Sequence, residues 1–407
     1  MTNHLKLILS LPIVFLGGYS ILYVLNIVTV FPSNENLAHW DVGWYQSIIE
    51  HGYQFDKDKQ SNIAFFPLFP YLWKISNLSA IGISIFNYCL FLCTTLIISN
   101  TYKLTKVQTL LIATTPSLLF TFIPYSESLF FFFTTLILIG LYRKKYFLCF
   151  IGIFLASLER SSALFFLAPL IYLIFNNTWR SHSIKPRYFL LILTGFLSVL
   201  IVAYIQWTQV GQWFVFYQAQ DAWNHHIQVP SFPLTTWRGK YNLPLDTTHS
   251  YFGLIALILL CYHFLQTITK RNFIFKPGDD WLFSIVFIAE MFVFILLFQG
   301  GSMFSLNRYI GGTSFFIVFG IHFLQKYELK KTHLIIVSTL LASLVSFYNH
   351  EEPLIFGLLL IGISAYILLW IFSFTKRKKW YSYTLIVLNV IIQYHYFHMY
   401  LTGEWVG

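Results

Sequence analysis

Leu5-Lys-Leu-Ile-Leu-Ser-Leu-Pro-Ile-Val-Phe-Leu-Gly-Gly-Tyr-Ser-Ile-Leu-Tyr-Val-Leu-Asn-Ile-Val-Thr-Val-Phe31 holds a single charged residue, Lys6. The hydrocarbon core of a bilayer takes about 20 apolar residues in helical form, and this run exceeds that length. It also exceeds the apolar core of a signal peptide and lacks a small-residue cleavage site, so it is expected to stay in place as a first span. Similar runs recur along the whole chain. The expected set is 5–31, 81–101, 107–122, 127–142, 146–158, 161–175, 188–209, 250–268, 281–299, 309–325, 332–347, 354–374 and 381–400. Two of these, 146–158 and 161–175, are too short to cross singly. They predict a re-entrant or broken pair with its tip at Glu159-Arg160, a form that survives only where protein or water satisfies the freed backbone groups.

Composition agrees. The 407 residues are 57% hydrophobic and only 10% charged, with a mean hydropathy of +0.65. Soluble domains carry about 25% charged residues, and a soluble fold of this chain would have little to cover its surface with. Aromatics reach 20%, including 44 Phe and 26 Tyr, which suits lipid-facing surfaces and interfacial belts. The net charge of +10 does not point to nucleic acid, because the basic residues lie in short loops between spans. Cys89, Cys93, Cys149 and Cys261 all fall in apolar segments, so no disulfide framework is expected. The reading is an all-α, polytopic transmembrane bundle of about 11–13 spans, with 1–407 as one integral membrane domain.

Charge sets the orientation. With a cytoplasmic N-terminus, all but seven of the 26 basic residues fall inside; Lys57, Lys59, Lys74, Arg160, Arg238, Lys240 and Arg308 fall outside. That satisfies the positive-inside rule. The acids do the reverse: Glu35, Asp41, Glu50, Glu127, Glu159, Asp221 and Asp246 are among the outer ones. Acids contribute little to topology, and an acid/base site on the outer face accounts for their bias. Two outer loops are long, 32–80 and 210–249, while the cytoplasmic loops are short.

The first outer loop reads Ser33-Asn-Glu-Asn-Leu-Ala-His-Trp-Asp-Val-Gly-Trp-Tyr-Gln-Ser-Ile-Ile-Glu-His-Gly-Tyr53. Ser33 or Asn34 can cap a helix and Gly52 can end it. Leu37, Trp40, Trp44 and Ile48 would share one apolar face at helical spacing, with Asp41 and Tyr45 one turn apart on the adjoining face. Such a helix rests on the membrane surface and holds Asp41 at the aqueous boundary, where it is either a solvated acid or a base for a hydroxyl proton. The following Asn62-Ile-Ala-Phe-Phe-Pro-Leu-Phe-Pro-Tyr-Leu-Trp-Lys74 suits an interfacial segment.

Taken together, His39-Trp-Asp-Val-Gly-Trp-Tyr45, Gly52-Tyr53 and Ala64-Phe-Phe-Pro-Leu-Phe-Pro70 resemble the PIG-V-like mannosyltransferases, integral membrane enzymes of GT-C type. The resemblance continues in Pro124-Tyr-Ser-Glu-Ser-Leu-Phe130, in Arg160-Ser-Ser and in Ser305-Leu-Asn-Arg-Tyr309. It departs at His39, where the family carries Arg, and after Arg160, where a later Gly is missing. The resemblance implies transfer of a sugar, commonly mannose, from a polyprenyl- or dolichyl-phosphate sugar to a lipid or glycan acceptor, with inversion. The family's catalytic acid in the first outer loop maps onto Asp41.

The donor's phosphate leaves already ionised, so a base for the acceptor and cations for the phosphate would suffice. Arg160 and Arg308, with His39, are the expected phosphate ligands, since Arg offers a fork. Trp40, Trp44, Tyr45 and Glu127 are expected to bind substrate. So are Gln220, Trp223 and His225 of the second outer loop, which reads as a possible lid. Glu127 and Glu159 could also pair with Arg160 as a structural ion pair. His225 and His226 are adjacent and point apart, so no cofactor is expected, a divalent metal being the one alternative. The expected partners are the lipid-phosphate sugar, the acceptor and membrane lipids, in a bacterial inner membrane or, in a eukaryote, the endoplasmic reticulum. Two other classes fit the composition: a transporter or flippase of lipid-linked sugars, for which mid-span Glu290 is the main feature, and a non-catalytic subunit of a transferase complex.

Overall fold

The structure is a computed structural model, and it describes residues 3–181, 186–223, 226–236, 243–269, 277–326, 353–374 and 379–407. Helix is the dominant structure among those residues, with no strand among them. In chain order the helices are α1 (Asn3–Val24), α2 (Asp41–His51), α3 (Leu68–Ser76), α4 (Ala80–Thr101), α5 (Lys106–Ala113), α6 (Glu127–Tyr142), α7 (Tyr146–Glu159) and α8 (Leu167–Ser181). They continue with α9 (Pro186–Val210), α10 (Val215–Ala222), α11 (Leu243–Ile268), α12 (Asp279–Phe298), α13 (Ser314–Lys326), α14 (Pro353–Phe374) and α15 (Lys379–Leu401).

Five of these are long and apolar enough to cross a membrane: His4–Val24, Ala80–Thr101, Pro186–Val210, Pro244–Ile268 and Asp279–Phe298. They make the chain compatible with a membrane protein. Burial ranks them. Two thirds of the α12 window is buried inside the protein, against 17% for α1, so α12 is the central post and α1 a peripheral one. α12 packs against α6, α8, α11 and α13. In lipid the attraction between helices comes from close packing rather than from leaving water. Gly152 of α7 shows how close: a Cβ there would come within 2.7 Å of the Phe133 carbonyl oxygen on α6.

Polar contacts mark two ends of the bundle. At one end Tyr102 donates to Asp280 (3.0 Å) and Tyr188 to Asp279 (2.6 Å), while Arg143 donates to Thr101 (3.0 Å). At the other end Arg160 and Arg308 meet Glu127. α6 joins the two ends, with Glu127 in one cluster and Tyr142 against Tyr102 in the other. Its 16 residues span about 24 Å.

Several elements differ from the sequence expectations. The run 107–122 is broken: α5 stops at Ala113 and a 3-10 turn over Pro116–Thr121 follows. Pro116 cannot continue a helical hydrogen-bond ladder. α11 begins at Leu243, inside the expected loop 210–249, and Asp246 is fully buried there. That loop also contains α10. The chain does break at Arg160, where α7 gives way to extended backbone and then to a 3-10 turn over Ser161–Phe166. The expected run 332–347 lies outside the described residues.

The first loop shows the largest correction. The expected helix from Ser33 begins only at Asp41. Ser33 and Asn36 cap each other's backbone N–H groups in a closed turn (2.7 and 3.3 Å), and the side chain of Asn34 accepts from the N–H of Ile81. Trp40 then enters α2 with φ 59° and ψ −116°, a strained conformation for a bulky residue. The buried face is Val42, Tyr45 and Ile48, rotated from the expected one, because α2 packs on α3 and on Asn62–Ala64 rather than lying free on the bilayer. Gly52 does end the helix, with φ 75°; a Cβ there would meet the side-chain oxygen of Gln209 at 2.7 Å. That oxygen accepts from the N–H of Tyr53, also at 2.7 Å, so the end of α9 holds the end of α2.

Candidate active site

Four segments that are far apart in sequence converge at one end of the bundle. Asp41 opens α2, Glu127 opens α6, Arg160 follows α7, and Arg308 sits in a π-helical turn over Asn307–Gly311 between α12 and α13. Arg308 donates from Nη2 to Asp41 Oδ2 at 2.8 Å. It also donates to Glu127 Oε1 from Nε at 2.8 Å and from Nη2 at 2.5 Å. Arg160 Nη2 donates to the same Glu127 oxygen at 2.8 Å. Glu127 therefore anchors both arginines.

Exposure divides the four. The Glu127 side chain is fully buried and Arg308 is 5% exposed, whereas Arg160 and Asp41 reach 15% and 17%. The two slightly exposed groups form the mouth, and the two more fully covered ones form the base. Burial works against the charge on Arg308, but Glu127 and then Asp41 outweigh it, leaving the guanidinium more firmly protonated than usual. Arg160 follows the same pattern, with Glu127 overcoming desolvation.

Each group is held by a second layer. Asn87 of α4 donates to the carbonyls of Ile123 (2.8 Å) and Tyr125 (2.7 Å), pinning the turn that leads into Glu127. Asp246 accepts from the backbone N–H (3.1 Å) and side chain (3.0 Å) of Asn307, pinning the turn that carries Arg308. Rings close round the guanidinium of Arg308: Phe120 and Tyr125 each lie 4.9 Å away and Trp405 lies 5.5 Å away. Such contacts suit a planar cation whose partners leave little room for water. Tyr45, one turn after Asp41, donates to Ser126 Oγ at 3.3 Å. Burial first, then the charges of Asp41 and Glu127, push its hydroxyl well above its usual pKa, so it stays a neutral donor.

The other expected residues fall around this centre. Trp40 is at the rim, edge-on to Trp405 at 5.2 Å. Trp44 stacks on Phe65 and meets Trp223 edge-on at 5.6 Å, so the two outer segments touch through aromatics. Gln220 donates to the Phe216 carbonyl within its own helix. His39 lies edge-on to Tyr400 at 6.1 Å; no bond from it to the four charges is present among the described residues. His225 lies outside the described residues. Sequence reading missed Phe120, Tyr125, Asn87 and Trp405. Asn87 in an apolar helix was the one available signal, since a polar side chain there needs partners. Trp405 after the last span reads simply as an interfacial aromatic.

Comparison with known protein families, with curated proteins and with solved structures finds no match for this chain.

Proposed function

We propose that this chain is a GT-C-type glycosyltransferase. It transfers a sugar, with mannose as first choice, from a polyprenyl- or dolichyl-phosphate sugar to an acceptor on the non-cytoplasmic face. The observation that carries the reading is the unequal pair of acids. Asp41 opens to the mouth while Glu127 is sealed beneath it, and both are bridged by Arg308. One acid is thereby available to chemistry and the other is committed to holding cations.

The reaction needs three things of the protein. The acceptor hydroxyl attacks the anomeric carbon as its proton passes to Asp41. The bond from that carbon to the phosphate oxygen breaks, and the lipid monophosphate leaves with the electron pair. Arg308 takes Oδ2 of Asp41, which orients the carboxylate and leaves Oδ1 as its second acceptor. For the phosphate, Arg160 is the better placed cation: it is the more exposed arginine and spends Nη2 on Glu127, whereas Arg308 is held by two carboxylates. A developing charge on the leaving phosphate is stabilised most by donors already fixed in place.

The four charges lie at helix ends and not at mid-span, which speaks for chemistry at a membrane surface over carriage across it. The bundle is read as 11–13 spans with a cytoplasmic N-terminus, seated in a bacterial inner membrane or, in a eukaryote, in the endoplasmic reticulum. The test is transfer by the purified protein from a short synthetic prenyl-phosphate mannose to an extracted acceptor lipid, comparing wild type with Asp41→Asn. Transfer that is equal in the two overturns the assignment of Asp41. A wild-type protein that transfers no sugar from any prenyl-phosphate donor overturns the reading itself.

A further inference from the structure

After α15 the chain folds back over the charged centre. Val406 is 2% exposed, and a side chain at Gly407 would collide with Phe120 and with the aliphatic stem of Arg308. Trp405 immediately precedes this packed stretch. Its ring lies 5.5 Å from the Arg308 guanidinium and edge-on to Trp40, which is exposed. The indole nitrogen of Trp405 is buried and makes no hydrogen bond among the described residues. Leaving a buried donor without a partner is unfavourable, and such a donor beside a charged cluster calls for a ligand.

Charge selects the kind of ligand atom. An indole N–H only donates, so its partner is an oxygen. The centre beside it holds Asp41 and Glu127 against Arg160 and Arg308, an arrangement that neutralises itself and gives no excess positive charge near Trp405. A neutral hydroxyl or ring oxygen therefore fits better there than a second anion. Trp40 packs edge-on against the Trp405 ring (5.2 Å, 72°), and aromatic surfaces beside a few fixed polar groups are how proteins grip a sugar.

We propose that the Trp405 indole N–H donates to a hydroxyl or ring oxygen of the transferred sugar, with Trp40 packed against the Trp405 ring beside it, so that residues 402–407 supply part of the sugar subsite. This rests on the glycosyl-transfer reading and gives it a sugar-contacting residue outside the two long outer loops.

The experiment measures equilibrium binding, in detergent, of two probes: a short prenyl-phosphate mannose and the same prenyl phosphate without sugar. Trp405→Phe keeps a ring and loses the N–H. It is expected to weaken the mannosyl probe by about three- to tenfold and to leave the bare phosphate unchanged. Trp213→Phe, at an exposed ring stacked on Trp207, serves as the tryptophan-loss control and should alter neither. Trp405→His, which keeps a ring N–H, should bind the mannosyl probe more tightly than Trp405→Phe. If the phenylalanine variant does not fold, Trp405→His and Trp405→Leu must show that same order. Equal affinity of wild type and Trp405→Phe for the mannosyl probe overturns the proposal, as does an equal loss for both probes. If the transfer reading is the part at fault, wild type itself fails to distinguish the two probes.

Discussion

Arg308 and Asp41 stand 267 positions apart in the chain and 2.8 Å apart in the fold. The bond joins the first turn of α2 to the π-helical turn after α12. It ties one carboxylate oxygen of Asp41, Oδ2, to a guanidinium that Glu127 also holds.

The first prediction concerns Asp41. Asp41→Asn should lower turnover about 100- to 10,000-fold, the usual loss when a general base is removed. It should also cost about 1.5–3 kcal/mol of stability, because the charge-assisted bond to Arg308 goes with it. Asp41→Glu, which keeps the charge, should recover part of both. Single-turnover rates and melting midpoints, measured on the same preparations, separate the two effects. An Asn variant of normal turnover assigns Asp41 to structure alone.

The two arginines should behave differently. Removing Arg308 as Arg308→Met takes from Asp41 its ion-pair partner and leaves Glu127, fully buried, with Arg160 alone; breaking a buried pair in this way costs about 3–5 kcal/mol. Arg160→Lys leaves Glu127 with Arg308, so the melting point should change little, while KM for the prenyl-phosphate donor rises because the fork is lost. The reverse pattern would show that Arg308 is the phosphate ligand.

Asn87→Ala should act on the site from a distance. It deprives the Ile123 and Tyr125 carbonyls of their donor at a buried position, at about 1–3 kcal/mol for the groups left unsatisfied. Glu127 follows that turn directly, so turnover should fall together with the melting point. Turnover held at the wild-type level would mean that the turn keeps its place without Asn87.

The alkaline limb of the pH profile tests the placement of Tyr45. Its folded pKa is raised by burial and by the nearby carboxylates. A raised value keeps the hydroxyl neutral, so its contribution is complete below the ordinary value of about 10 and is lost only as pH climbs through the folded value. Arg160 and Arg308 are raised as well. Turnover should therefore stay flat from about pH 7 to pH 9.5 on account of these three groups. A decline in that window that Tyr45→Phe abolishes would contradict the placement.

Topology is the last test. Reporter fusions at Gly407 and at Lys378 should report opposite sides, since α15 lies between them. The Gly407 reporter should read outside. Signals from the same side would sink the proposed orientation and move Asp41 to the wrong face.

Sequence by itself determined a good deal here. Apolar length and the poverty of charge decided an all-helical chain with membrane-length helices, because a backbone in lipid must satisfy its own hydrogen bonds. Gly52 was legible as the end of α2, since only glycine takes φ 75° there beside Gln209 without strain. Asp41, Glu127, Arg160 and Arg308 were legible as candidates, since charge next to apolar spans is costly and conspicuous. The start of α2 was not legible, because the Ser33–Asn36 turn and the Asn34 bond to Ile81 compete with the cap that Ser33 would otherwise make. Nor was the buried face of α2, which depends on its contact with α3.

Only the tertiary structure decided how the charges pair and how deeply each is buried. Which arginine meets which acid is settled by the packing of α2, α6, α7 and the turn at 307–311, held by Asn87 and Asp246. Ion pairing and burial depend on distance in space, and a chain read in one dimension carries no measure of that distance. For the same reason Trp405, ordinary in sequence, becomes a wall of the site only once α15 brings it over Arg308.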